Sequence, residues 1–150
     1  MTSALSGSCL CGACSFTATP QGDAGVCHCG MCRKWSGGMF IAIGCNGTVQ
    51  FTDTSVITRF KSSEWGERVF CSRCGSNLAW LAADGSASAV SIHCFDHPGQ
   101  FNVTSQIFID RKPENYALAN ATAVMTEAEV FAKFAPSTAA KPAPSTESNA

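Results

Sequence analysis

Ten cysteines stand in a chain of 150 residues, at Cys9, Cys11, Cys14, Cys27, Cys29, Cys32, Cys45, Cys71, Cys74 and Cys94. Thiolates serve as nucleophiles, redox groups and soft metal ligands, and their spacing selects among these roles. Cys71-Ser72-Arg73-Cys74-Gly75 and Cys11-Gly12-Ala13-Cys14 have the two-residue gap of zinc knuckles, where a tight turn aims both sulfurs at one ion. Gly75 supplies that turn in the first of them. A closed tetrahedral site takes four ligands, so Cys71 and Cys74 must borrow two more, and the cluster over residues 9–14 can lend them. A structural zinc shared in this way contributes about 10–16 kcal/mol to folding and clamps both ends of the domain.

The second constellation is Cys27-His28-Cys29-Gly30-Met31-Cys32-Arg33-Lys34, three thiols in one short run with no obvious fourth ligand. Three protein ligands leave a coordination position for water or substrate, which separates catalytic zinc sites from closed structural ones. His28 is the nearest candidate for a fourth, but it lies between two ligands and its side chain is expected to point away. Arg33 and Lys34 offset the thiolate charge, lower the thiol pKa values and attract an anionic ligand.

The elements that carry these residues read as short strands. Residues 13–19 alternate, with Cys14, Phe16 and Ala18 on one face and Ser15, Thr17 and Thr19 on the other. Pro20 to Gly25 is expected to break that strand. Further runs at 39–44, 56–60, 68–70, 78–81, 89–94 and 105–109 are separated by Gly, Asn, Asp and Pro signals, which together predict an all-β domain. One short helix is expected near the C-terminus, where Thr126-Glu127-Ala128-Glu129 forms a capping box ahead of Val130, Phe131 and Phe134. Residues 1–135 are expected to form the domain. Residues 136–150, rich in Pro, Ala, Ser and Thr, are expected to be a disordered tail.

Composition narrows the function classes. Apolar residues at 45% and charged residues at 14% call for a packed core. A formal net charge of −1 supplies no footprint for nucleic acid or an anionic membrane. No apolar run approaches the ~18–20 residues of a membrane span, and residues 1–11 have neither the basic nor the apolar region of a secretory signal. A cytoplasmic, reducing setting is the expectation, and it argues against five disulfides.

Three blocks taken together, Gly7-Ser8-Cys9-Leu10-Cys11-Gly12-Ala13, Cys27-His28-Cys29-Gly30-Met31-Cys32-Arg33-Lys34-Trp35-Ser36-Gly37 and Phe70-Cys71-Ser72-Arg73-Cys74-Gly75-Ser76, resemble the glutathione-dependent formaldehyde-activating enzyme family, which includes centromere protein V. The resemblance runs from about Gly7 to about Leu118. It implies a zinc-linked, tent-like β fold and two zinc ions per chain. By it, Cys9, Cys11, Cys71 and Cys74 hold a structural zinc, and Cys27, Cys29 and Cys32 hold a second, open one. It also implies that Cys14 is a buried strand residue, where the family carries an apolar side chain. Ile92-His93-Cys94-Phe95-Asp96 departs from the family pattern and bears on substrate choice.

Three thiolates make zinc a weaker Lewis acid than three histidines do, so an incoming thiol suits the open position better than hydroxide. The expectation is a carbon–sulfur lyase or synthase acting on a glutathione-type thiol adduct such as S-hydroxymethylglutathione. His28, Asp96 and His97 are the candidates for proton transfer. The competing readings are a binding module that two zincs only scaffold, and a thiol redox protein using Cys71 and Cys74. Cys45, beside Gly44, reads as an inert buried thiol.

Overall fold

The structure, a computed structural model, describes residues 3–134, so the segment 136–150 expected to be a disordered tail lies outside the described residues. Strands dominate, as the all-β reading requires, and the short C-terminal helix is present. The described chain divides into two compact units, residues 3–24 with 41–102 and residues 25–40 with 103–134. No described helix is long and apolar enough to cross a membrane.

In the first unit, β1 (Leu5–Ser8), β2 (Ser15–Ala18) and β5 (Gln50–Phe51) form an antiparallel sheet with Gly7 opposite Phe16 and Phe16 opposite Phe51. The expected alternation holds: Cys14, Phe16 and Ala18 are buried and Thr17 is exposed. Phe16 meets Phe95 edge-on at 5.3 Å between ring centroids, and Phe95 meets Phe101 at 5.0 Å. Gly7 is required there, because a Cβ on it would stand 2.4 Å from the Phe16 ring and 2.3 Å from the Cys94 carbonyl oxygen. The close approach fixes where β1 ends, and Cys9 follows at once.

A second antiparallel set in this unit has the order β4 (Phe40–Gly44, from Ile41 on), β9 (Ser88–Ser91), β8 (Asn77–Ala82), β7 (Gly66–Cys71), β6 (Ile57–Lys61). Ile43, Val69, Leu78, Ala79 and Val90 are buried. The β7–β8 register shifts between Val69 and Phe70, a bulge that re-aims the chain just before Cys71.

In the second unit, β10 (Val103–Ile107) and β11 (Ala123–Met125) pair in parallel, Gln106 opposite Val124. The helix α2 (Glu127–Phe134) starts as its capping box predicts: the Thr126 hydroxyl accepts from the Glu129 N–H at 3.3 Å, and the Glu129 carboxylate accepts from the Thr126 N–H at 2.7 Å. Phe131 on α2 packs edge-on against Phe108 at 5.8 Å.

Three expectations need correction. Residues 21–27 do not break the chain but form β3 (Gln21–Cys27): Pro20 precedes the strand, where its missing N–H costs no ladder bond, and Gly22 absorbs the bend at φ +70°. The strand expected to run to Cys94 ends at Ser91, and Ile92–Cys94 is a single 3-10 turn. A second helix, α1 (Gly30–Ser36), was not expected. It is seven residues long, too short to show an apolar stripe, and Gly37 at φ +71° ends it.

Candidate metal centres

The first centre lies in the first unit. Cys9 and Cys11 sit in the turn after β1, which the Cys9 N–H closes onto the Cys14 carbonyl at 2.9 Å and the Gly12 N–H onto the Cys9 carbonyl at 3.2 Å. Cys71 ends β7, and the knuckle through Cys74 closes with the Gly75 N–H on the Cys71 carbonyl at 2.9 Å, with Gly75 at φ +75° as its type predicts. The four sulfurs lie within 4.8 Å of one another. Cys9 Sγ is 3.6 Å from Cys11 Sγ, and Cys11 Sγ is 3.8 Å from Cys71 Sγ. Sulfurs placed tetrahedrally at ~2.3 Å from zinc stand ~3.8 Å apart, so the donor set fits that ion.

Backbone and hydroxyl donors surround these sulfurs. The Cys14 N–H donates to Cys9 Sγ at 3.2 Å, and the N–H groups of Arg73 and Cys74 donate to Cys71 Sγ at 3.4 and 3.5 Å. The Ser76 hydroxyl lies 3.2 Å from Cys74 Sγ and is the main reason that thiol is held down to about 5. The Cys74 N–H, with that of Arg73, also lowers Cys71. The Ala13 N–H lowers Cys11, but Cys9, burial and the other sulfurs outweigh it and push Cys11 up to about 11. Thiolates thus form readily at one knuckle and crowd a partner that needs a cation to ionise. Cys14 is buried beside this group but donates its S–H to the Val56 carbonyl at 3.2 Å, and burial raises its pKa, in keeping with its place as a strand residue.

The second centre lies in the second unit. Cys27 ends β3, Cys29 is the N-cap of α1, and Cys32 is in its first turn. Cys29 Sγ caps the helix by accepting from the Cys32 N–H at 3.3 Å. The three sulfurs lie within 4.8 Å of one another, and among the described residues no His, Asp, Glu or further Cys joins the group. The sulfurs of Cys29 and Cys32, followed by burial, push the Cys27 thiol well above its ordinary value. Three thiolates this close require a positive partner, which makes the set suited to a soft divalent cation with one further ligand from outside.

His28 belongs to neither group. Its ring is fully buried, with Nε2 2.8 Å from Gln106 Oε1 and Nδ1 3.5 Å from Tyr116 Oη. Burial lowers its pKa, against the hydrogen bond to the Gln106 carbonyl oxygen. Arg33 donates from Nε to the His28 carbonyl at 2.9 Å, so its guanidinium is anchored on the loop it was expected to neutralise. Asp96 and His97 are exposed in the first unit, where the Asp96 N–H donates to the Ser6 carbonyl at 3.0 Å. Cys94 Sγ donates to the Asn77 carbonyl at 3.4 Å, and His93 is exposed. Cys45 is buried, which pushes it up to about 11, as fits an inert thiol.

Four residues escape the sequence reading. Ser76 stands within a quoted block but carries no ligand signal, and Gln106 and Tyr116 reach His28, and Thr122 reaches Gln106, only through tertiary structure. The one available signal was count: Tyr116 is the single tyrosine of the chain.

The model of a family described as glutathione-dependent formaldehyde-activating enzyme matches residues 4–111. A protein of Schizosaccharomyces pombe named as an uncharacterized lyase is 32% identical over 128 residues, which cover 83% of this chain and 93% of the relative. A crystal structure of a Rhodobacter sphaeroides protein superposes with a TM-score of 0.54 at 19% identity, over 61% of this chain and 87% of that one, and supports the fold alone.

Proposed function

Because the chain belongs to the glutathione-dependent formaldehyde-activating enzyme family, we propose that it is a zinc-dependent carbon–sulfur lyase or synthase acting on a glutathione-type thiol adduct such as S-hydroxymethylglutathione. The observation that carries this reading is the three-sulfur group of Cys27, Cys29 and Cys32, which no fourth His, Cys, Asp or Glu among the described residues completes. Two zinc ions per chain are proposed, a closed one on Cys9, Cys11, Cys71 and Cys74 and an open one on these three. Zinc held by three thiolates supplies affinity for a soft sulfur ligand and little power to make hydroxide.

The protein groups then handle the proton. In the lyase direction the carbon–sulfur bond of the adduct breaks with its electron pair left on sulfur, and the hydroxyl oxygen becomes the carbonyl oxygen of the aldehyde. The hydroxyl proton passes to an acid–base group, for which Asp96 and His97 are proposed; His28, being fully buried, would take it only through an intervening group. Arg33 and Lys34, adjoining Cys32 in α1, are proposed to attract the carboxylates of a glutathione-type molecule. A cytoplasmic setting is proposed, since a reducing compartment keeps clustered cysteines available as thiolates for metal.

Cobalt exchange tests the reading. Added glutathione shifts the sulfur-to-cobalt absorption of the exchanged protein, Cys29→Ser removes that shift, and metal analysis returns about two ions per chain before exchange. A cobalt spectrum indifferent to thiols, together with unchanged activity in Cys29→Ser, overturns it in favour of a scaffolded binding module.

A further inference from the structure

Cys11 is the one exposed cysteine of the ten; the other nine are buried or half-buried. It stands at the tip of the first knuckle, where Leu10 is 89% exposed and a Cβ on Gly12 would find no atom within 4 Å. The four-sulfur group is therefore most open at this donor, with Cys9 and Cys71 buried and Cys74 half-buried. A reagent arriving from solvent meets Cys11 first.

Two sulfurs stand close to that of Cys11, and they are held differently. Cys9 Sγ, at 3.6 Å, belongs to the same turn, whose backbone is fixed by the Cys9 N–H on the Cys14 carbonyl and the Gly12 N–H on the Cys9 carbonyl. A disulfide across the single residue Leu10 would close a small strained ring there, and strained disulfides are readily reduced. Cys71 Sγ, at 3.8 Å, comes from the end of β7, 60 residues along the chain, so its bond to Cys11 closes no small ring.

We propose that Cys11 is a site of oxidation by hydroperoxides and that Cys71 resolves it, so that a disulfide takes over from the metal as the link between the two knuckles. The Cys11 thiolate attacks the outer oxygen of the peroxide, the O–O bond breaks, and alkoxide leaves with its electron pair, giving a sulfenic acid on Cys11. The Cys71 thiolate then attacks the Cys11 sulfur, the S–O bond breaks, and hydroxide leaves. Two thiolates are oxidised, one hydroperoxide is reduced to alcohol and water, and the alkoxide and hydroxide take protons from solvent. Two of the four donors are then gone, and zinc is released unchanged in charge. This rests on the closed four-sulfur centre proposed above and is independent of any lyase activity. Because the new bond joins the same two knuckles, the oxidised chain keeps its β fold.

The test adds cumene hydroperoxide to the zinc-loaded full chain and follows released zinc with a chromophoric chelator, with circular dichroism and a non-reducing peptide map on the same samples. Cleavage after Leu10 separates Cys9 from Cys11, and cleavage after Arg73 separates Cys71 from Cys74, so the map names the pair. The expected map joins the Cys11 and Cys71 peptides, with one zinc released per disulfide and the β spectrum retained. A thiol reductant with added zinc reverses both changes. Cys11→Ser slows the release by about tenfold or more, and the wild-type map stands as the measurement should that variant not fold. A disulfide within Cys9 and Cys11, within Cys71 and Cys74, or among Cys27, Cys29 and Cys32 in its place overturns the proposal and leaves the metal reading intact. Loss of the β spectrum on formation of the Cys11–Cys71 bond overturns its role as the link. A starting protein that binds no zinc at the four sulfurs overturns both the proposal and the reading of that centre.

Discussion

The backbone N–H of Leu10 donates to the Ser76 hydroxyl at 3.0 Å, joining two knuckles that lie 66 residues apart in the chain. The same oxygen is 3.2 Å from Cys74 Sγ, and having accepted from Leu10 it has its proton to give to that sulfur. Ser76→Ala removes both bonds without touching a ligand. It lowers the stability of the metal-loaded protein by about 1 kcal/mol and speeds loss of metal from the four-sulfur centre. A chelator competition checks this, with the cobalt–thiolate band of the three-sulfur centre unchanged.

The two centres differ in what they hold together. Cys11 and Cys71 meet at 3.8 Å across 60 residues, whereas Cys27, Cys29 and Cys32 belong to one loop and the helix it starts. Closing a long loop restrains far more of the unfolded chain than bridging neighbours does. Cys71→Ser therefore yields a protein largely unfolded in circular dichroism, while Cys29→Ser retains the β spectrum and loses thiol binding.

Gly7 and Gly12 flank Cys9 and Cys11 and respond to alanine for different reasons. A Cβ at Gly7 meets the Cys94 carbonyl oxygen at 2.3 Å and the Phe16 ring at 2.4 Å, so backbone must move. At Gly12 nothing lies within 4 Å, and only the φ of +81° resists a side chain. Gly7→Ala costs about 3 kcal/mol or more, the upper end of overpacking penalties. Gly12→Ala costs about 1 kcal/mol of left-handed strain. Urea unfolding of the two variants, metal-loaded, separates the two costs.

Asp53 holds the first centre from a distance. Its carboxylate accepts from the Ser55 hydroxyl at 2.6 Å and the Ser55 N–H at 2.9 Å, capping the turn Thr54–Val56. The Val56 carbonyl at the end of that turn takes the Ser72 N–H at 2.9 Å and the Cys14 S–H at 3.2 Å. The Ser55 hydroxyl, then its N–H, lowers the Asp53 pKa from 3.8. A carboxylate lowered on folding stabilises in full above its unfolded value, and the contribution is lost as pH falls through the lowered one. The Asp53 carboxyl resonance therefore titrates below 3.8 and moves back toward it in Ser55→Ala.

Local signals carried much of this arrangement and distant ones did not. The burial of Cys14, Phe16 and Ala18 follows from a two-residue period, and the start of α2 follows from Thr126 and Glu129. Both sulfur groups that could hold a metal ion were legible because thiol spacing is itself a constraint on geometry. β3 was hidden by Pro20, Gly22 and Gly25, whose breaking tendency is overridden by pairing; a Cβ at Gly25 would stand 2.6 Å from Ser105 Oγ. α1 was hidden because its cap and first turn are occupied by the cysteines Cys29 and Cys32, which are not helix-start residues by type. The partners of His28 were beyond reach, since Gln106 and Tyr116 lie 78 and 88 residues away and no periodic pattern links them to it.

Those partners make the His28 contact with Gln106 a sensitive point of the second unit. Gln106 is 7% exposed, and its amide is the acceptor for His28 Nε2 and the donor to Thr122. Gln106→Leu keeps the volume and removes both functions, leaving a buried imidazole N–H without a partner. An orphaned buried donor costs about 1–3 kcal/mol, more than deletion of an exposed bond. Thr122→Val removes only the outer bond and costs less, because the amide can still accept from His28. Unfolding of the metal-loaded variants in urea should rank Gln106→Leu below Thr122→Val below wild type. Equal stability of Gln106→Leu and wild type would mean that the His28 ring is not held by this contact, and the polarity assigned to its nitrogens would fall with it.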